Sequence, residues 1–150
     1  MIAAGDDHPA VDILLVEDSD TDAELVHRAL RRISGDGGVV RVRDGVDALD
    51  FVLCQGPWLR RTGGHPRLIL LDMKMPRLNG LDVLRRLKGD ESTRVIPVVM
   101  LTSSQEARDI RESYQLGANS YLVKPVDAEG FAAVVAHAGR YWTEMNHTPA

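Results

Sequence analysis

Cysteine is almost missing from this chain: Cys54 stands alone among 150 residues. One thiol closes no internal disulfide, so a disulfide-held scaffold is excluded; a reducing compartment fits, with Cys54 expected to pack as a small hydrophobe. Basic excess is missing too. The net charge is −4, which argues against a nucleic-acid binder. Aromatics are few, at 5%. The longest apolar run covers residues 95–101 and is interrupted by Pro97, far short of a membrane span. Residues 1–10 carry Asp6 and Asp7 and no apolar centre, so they read as a loose tail rather than a signal peptide. No repeat, low-complexity stretch or G-x-x-x-x-G-K-[ST] loop occurs; Gly35, Gly37 and Gly38 precede a strand rather than open a helix. The histidines, His8, His27, His65, His137 and His147, have no metal-ligand spacing.

What remains is ordinary soluble composition, 44% apolar and 27% charged, at the length of about one domain. Short apolar runs alternate with helical periodicity. Ile13-Leu14-Leu15-Val16, Val39-Val40 with Val42, Leu68-Ile69-Leu70-Leu71, residues 96–101, and Ser120-Tyr121-Leu122-Val123 read as strands. Between and after them run stripes at i, i+3, i+4 spacing: Val26, Ala29, Leu30, Ile33; Ala48, Leu49, Val52, Leu53; Leu81, Leu84, Leu87; Ala107, Ile110, Tyr114; and Phe131, Val134, Val135, Ala138, Tyr141, Trp142, Met145. Ser19 with Asp22, and Asp44 with Asp47, resemble capping boxes in which Asp replaces Glu or Gln. Gly89 and Gly117 sit where helices three and four end, and Asp127 can cap the last helix. The reading is α/β, (βα)5, with a mostly parallel sheet covered on both faces. Residues 55–66, rich in Gly and Pro, form a long loop. The arginine pairs 31–32, 60–61 and 85–86 read as solvated surface.

Acids cluster at predicted strand ends. Glu17 and Asp18 follow strand one, and Asp72 follows strand three. Ligands of open α/β sheets bind beyond the carboxyl ends of strands at the switch point; in the doubly wound order 2-1-3-4-5, strands one and three are neighbours there. One Asp after a strand often only caps a helix. Two carboxylates about 4 Å apart, however, repel by roughly 4 kcal/mol at an effective dielectric of 20. A hard divalent cation removes that cost, and an all-oxygen site with few protein ligands suits Mg²⁺. Thr102 and Lys124 close strands four and five. A hydroxyl and an ammonium beside a metal-binding acidic pocket suit an arriving phosphoryl group, and a carboxylate is a competent phosphoryl acceptor. Asp72, the lone acid at the sheet centre, is the natural acceptor.

These residues carry a resemblance. Leu15-Val16-Glu17-Asp18, Leu71-Asp72-Met73-Lys74-Met75-Pro76 with Asn79-Gly80, Pro97-Val98-Val99-Met100-Leu101-Thr102, Gly117-Ala118 and Lys124-Pro125 resemble the receiver domain of two-component response regulators. Thirty residues separate Asp72 from Thr102 and twenty-two separate Thr102 from Lys124, as in that family. The likeness spans residues 11–142, leaving 1–10 and 143–150 as tails. It implies a flavodoxin-like sheet of order 2-1-3-4-5. It also implies that Asp72 accepts a phosphoryl group from a sensor histidine kinase, and that Glu17, Asp18, Asp72 and the main-chain carbonyl of Lys74 hold Mg²⁺. Thr102 and Lys124 would bind the phosphoryl group, and Thr102 and Tyr121 would act as switch residues. Tyr121 also reads simply as a half-buried strand residue.

A narrower likeness is to regulators that accompany phytochrome-type kinases. It rests on the 55–66 loop, the stretch Val42-Arg43-Asp44-Gly45-Val46-Asp47-Ala48-Leu49, and Tyr141-Trp142. It implies a homodimer through the face of helix four, strand five and helix five, although Tyr141-Trp142 equally suits packing of the last helix. Lys74, Ser104 and Ser19 depart from the common family pattern. The main rival is an aspartyl-phosphate phosphatase of the haloacid-dehalogenase type, which needs a second Asp two residues after the acceptor, where this chain has Lys74. The expectation is a non-enzymatic, cytoplasmic, single-domain signalling protein with no output domain, no membrane contact and no nucleic-acid contact.

Overall fold

The structure, a computed structural model, describes residues 11–34 and 38–149, and the side chain of residue 34 is not described. The expected N-terminal tail, Gly35, Gly37 and Ala150 lie outside the described residues.

Five strands form one sheet: β1 (Ile13–Val16), β2 (Val39–Val42), β3 (Leu68–Leu71), β4 (Val98–Thr102) and β5 (Ser120–Val123). They are all parallel, in the order β2-β1-β3-β4-β5. Five helices alternate with them: α1 (Asp20–Ser34), α2 (Gly45–Leu53), α3 (Gly80–Gly89), α4 (Ala107–Gln115) and α5 (Ala128–Arg140). The expected doubly wound architecture is therefore present.

Side-chain alternation along the strands divides the core into two layers. Leu14, Val16, Ile69, Leu71, Val98 and Met100 pack against α2 and α3 through Ala48, Phe51, Val52, Val83, Leu84 and Leu87. Ile13, Leu15, Leu68, Leu70, Val99 and Leu101 pack against α1 and α5 through Ala23, Val26, Leu30, Phe131 and Val135. Every residue of β1 and β3 is buried, as continuous apolar runs in a covered parallel sheet require.

Helix starts follow the capping signals closely. The side chains of Asp44, Asn79 and Asp127 accept hydrogen bonds from the N–H groups of Asp47, Asp82 and Gly130. Helix ends differ more. Gly89 is the last residue of α3 rather than its terminator, and Asp90 follows with extended backbone. Gly117 does end α4, at φ +107°. Cys54 is not a core residue. It is the left-handed C-cap of α2, at φ 55°, a place where Gly or Asn is the usual signal.

β4 begins two residues later than the apolar run suggests. Pro97 has no N–H for the ladder, and Ile96 is held in a turn by its N–H to Thr93 O at 3.1 Å. In α4 the expected stripe fails: Tyr114 faces solvent, and the buried residue is Ser113, whose hydroxyl donates to Asp109 O at 2.8 Å.

The 55–66 loop is organised. It opens with a 3₁₀ turn, Gly56–Trp58, and Arg61 turns back over the Phe51 ring at 4.1 Å from its centroid. The Arg61 Nε donates to Phe51 O at 2.8 Å, so Arg61 serves the carbonyl end of α2 rather than the solvent. After α5 the chain winds through a π turn, Tyr141–Met145. There Trp142 packs on the α1–α5 layer and Tyr141 stays exposed.

Candidate phosphoryl and metal site

Residues just past the carboxyl ends of β1, β3 and β5 form one cluster, and β4 ends beside them at Thr102. Strand pairing does the positioning. The N–H of Asp72 donates to Val16 O at 3.1 Å, which sets the first residue past β3 beside the first residue past β1. The N–H of Lys124 donates to Thr102 O at 2.8 Å, tying the ends of β4 and β5. Gly80 lets α3 start directly against this region: a Cβ there would overlap the carbonyl oxygen of Asp72 and lie 2.8 Å from Met73 Cα.

Glu17, Asp18 and Asp72 each offer a carboxylate oxygen, and these lie within 4.8 Å of one another. Glu17 is 1% exposed and Asp72 9%, while Asp18 opens to solvent. The Lys124 ammonium reaches Glu17 Oε1 at 2.7 Å, Asp22 Oδ2 at 2.9 Å and Asp72 Oδ2 at 3.4 Å. Three carboxylates thus share one ammonium, and Asp18 beside them brings the group to a formal charge of −3 when all are ionised.

The electrostatics record this deficit. Burial, with Asp72 repulsion added, pushes the Glu17 carboxyl up to about 7 against the pull of Lys124. Burial opposes the charge on Lys124, but the Glu17 and Asp22 carboxylates together outweigh it and hold the ammonium above its ordinary range. An all-oxygen, electron-rich cluster with one solvent-open member fits a hard divalent cation.

Thr102 is buried at the end of β4, and its hydroxyl accepts from the Ser104 N–H at 3.4 Å. Tyr121 lies half-buried with its hydroxyl donating to Ser104 O at 3.0 Å; burial raises its pKa. Ser104 also donates its own hydroxyl to Asp109 Oδ2 at 2.5 Å. One residue therefore links Thr102, Tyr121 and the start of α4. Lys74 is exposed beyond Asp72.

Two neighbours of the cluster are given no site role by the sequence reading. Asp22 is the first. Ser19 Oγ does accept from the Asp22 N–H, at 3.2 Å, but the Asp22 carboxylate turns to Lys124. Glu17 Oε2 takes the Ser19 N–H instead, at 3.1 Å, so the expected reciprocal box is not formed. An acid in the first helical turn after an acidic strand end is the available signal. Arg41 is the second. From β2 it donates Nε to Glu17 O at 2.9 Å and Nη1 to Asp20 Oδ1 at 2.8 Å, bracing the β1–α1 connection. Arg43 shares Asp20, and Arg41 first, then Arg43, hold the Asp20 carboxyl below its ordinary value.

A comparison with protein families matches residues 13–136 to the response regulator receiver domain. The chain belongs to that family. This receiver is 36% identical to the response regulator Rcp1 of Synechocystis sp. over 143 residues, covering 95% of this chain and 96% of Rcp1. The Mn²⁺-bound crystal form of Rcp1 superposes with a TM-score of 0.86, covering 93% of this chain and 99% of that one. The phosphorylated cyanobacterial phytochrome response regulator RcpA gives 0.87 at 33% identity, covering 94% and 99%. The bacteriophytochrome response regulator RtBRR is 46% identical, with a TM-score of 0.73 over 93% of this chain and 84% of that one. This receiver is a response regulator similar to phytochrome response regulators, with a cluster suited to a divalent metal.

Proposed function

We propose that this receiver accepts a phosphoryl group on Asp72 from a sensor histidine kinase of the phytochrome type. The carrying observation is the placement of Asp72, Glu17, Asp18 and Lys124 within one pocket at the carboxyl ends of the strands. An Asp72 carboxylate oxygen attacks phosphorus and forms the P–O bond; the P–N bond to the donor imidazole breaks, and that imidazole takes up a proton. The Lys124 ammonium neutralises phosphoryl oxygens, and the Thr102 hydroxyl donates to one of them. Glu17, Asp18, Asp72 and the Lys74 carbonyl would hold Mg²⁺, which supplies charge neutralisation at the phosphoryl oxygens. The phosphoryl transfer is self-catalysed signalling rather than turnover of a substrate.

The kinase assignment rests on the similarity to RcpA, a phytochrome response regulator, and RtBRR, a bacteriophytochrome response regulator. Readout runs through Thr102, Ser104 and Tyr121 to the face of α4, β5 and α5. There the half-exposed edge strand β5 lines a groove with exposed Tyr141, and this face pairs two copies. A cytoplasmic location suits this role; no described helix is long and apolar enough to cross a membrane.

Incubation with a small acyl phosphate tests the assignment. Labelling should need Mg²⁺ and vanish with Asp72→Asn; labelling that survives EDTA would overturn the metal's role. Sedimentation should give a dimer, and a monomer at all concentrations would remove the pairing face.

A further inference from the structure

We propose that Asp22 is a positioning residue for Lys124, holding the ammonium away from Asp72 and so limiting how strongly it engages a phosphoryl group there. The proposal rests on the assignment of Asp72 as phosphoacceptor.

An ammonium has three N–H donors. All three on Lys124 point to carboxylates, and they are unequal. The short contacts, 2.7 Å to Glu17 and 2.9 Å to Asp22, come from the β1–α1 side, and the longest, 3.4 Å, goes to Asp72. Lys124 is therefore drawn toward the start of α1. Glu17 has a second task, since it belongs to the trio within 4.8 Å of one another; Asp22 lies outside that trio.

The carboxylate of Asp22 is not occupied by its own helix. The Ser19 N–H, which a capping-box acid would accept, is taken by Glu17 Oε2. Among the described residues the bond of the Asp22 carboxylate is to Lys124 Nζ. Its backbone N–H is held by Ser19 Oγ, which anchors Asp22 in the first turn of α1.

A phosphoryl group on Asp72 carries about −1.5 to −2 charge in place of the carboxylate's −1, a net gain of about −0.5 to −1, and sets three acceptor oxygens beside the same ammonium. To serve it with more than the one N–H already directed at Asp72, Lys124 must give up Glu17 or Asp22. The Asp22 side chain, 29% exposed, is rehydrated more easily on release than that of Glu17, 2% exposed. The Asp22–Lys124 contact is accordingly the one broken on phosphorylation. Its strength subtracts from the stability of the phosphorylated state.

The test is a double-mutant cycle with Asp22→Asn, Lys124→Ala and the pair, each incubated with Mg²⁺ and a small acyl phosphate. Asp22→Asn should raise the ratio of phosphorylated to unphosphorylated protein by about fivefold or more. Asp22→Glu should restore the parental ratio. In the Lys124→Ala background the same substitution should change the ratio by less than about twofold. An unchanged ratio in Asp22→Asn overturns the proposal, as does an equal gain without Lys124. A matching gain in Mg²⁺ affinity by calorimetry also overturns it, because Asp22 would then act through the metal.

Where Lys124→Ala does not label, the four proteins are compared by urea unfolding without donor. Coupling of about fivefold or more in the unfolding constant supports the contact, and additivity overturns it. Asp72→Asn serves as the control: if it labels, the assignment of Asp72 fails, whereas an unlabelled control beside an unresponsive Asp22→Asn sinks only the role of Asp22.

Discussion

Glu17 makes metal-free stability fall as pH rises through neutrality. Its carboxyl sits at about 7 in the folded chain against 4.5 for the free group, a displacement of about 2.5 units. The folded state therefore binds a proton that the unfolded state has released between about pH 4.5 and 7. The corresponding stability is fully present below 4.5 and is lost as pH rises through about 7. At roughly 1.4 kcal/mol per unit the loss by pH 8 is on the order of 3 kcal/mol. For a domain of this size that lowers the midpoint by roughly 6–12 °C. Lys124 adds no slope in this window, because its raised pKa keeps it protonated in both states. The lowered carboxyls of Asp20 and Asp90 act in more acid solution. Thermal unfolding in EDTA from pH 5 to 8 is the assay, run on the parent and Glu17→Gln. The difference between the two proteins should grow with pH in favour of Glu17→Gln, and Mg²⁺ should restore the parent most at pH 8. Parallel curves with and without Glu17, or a Mg²⁺ effect that shrinks as pH rises, would refute the reasoning.

Other changes follow from single contacts. Gly80→Ala forces a methyl group into the Asp72 carbonyl and should cost at least about 2 kcal/mol in urea unfolding, with Mg²⁺ binding by calorimetry lost in parallel. Arg61→Ala removes the bonds to Phe51 O and Gly64 O, both at 2.8 Å, and the ring contact; it should cost about 2 kcal/mol and expose residues 55–66 to limited proteolysis. Lys88 donates to Arg94 O, Ile96 O and Asn119 Oδ1 at 2.9, 2.7 and 3.1 Å, and burial holds its pKa below the ordinary lysine range. Lys88→Met keeps the stem but leaves those acceptors unmet, so unfolding should ease by about 2–3 kcal/mol while labelling of Asp72 persists.

The sheet was legible where burial is complete. Leu68-Ile69-Leu70-Leu71 is apolar throughout because both faces are covered, and such a run reads as a strand without alternation. Strand order came from the receiver resemblance, since periodicity says nothing about which strands are neighbours. The pocket acids were legible because each directly follows an apolar run. Asp22 was not, because a first-turn acid has two uses, capping or reaching outward, and only the path of Lys124 decides between them. α4 misled because its packing is thin: Ser113 can bury its hydroxyl by bonding back to Asp109 O, leaving Tyr114 outside. Arg41 and Arg61 were hidden for a common reason. Each guanidinium donates its Nε to a main-chain carbonyl, a partner that leaves no mark in the sequence pattern.

The most direct measurement is the location of the phosphoryl group. The protein is incubated with Mg²⁺ and a small acyl phosphate, reduced with borohydride to convert the acyl phosphate to an alcohol, and peptide-mapped. The account predicts one modified residue, Asp72, with none in Asp72→Asn. Modification at Glu17, Asp18 or Asp22 instead, or undiminished labelling of Asp72→Asn, would contradict it.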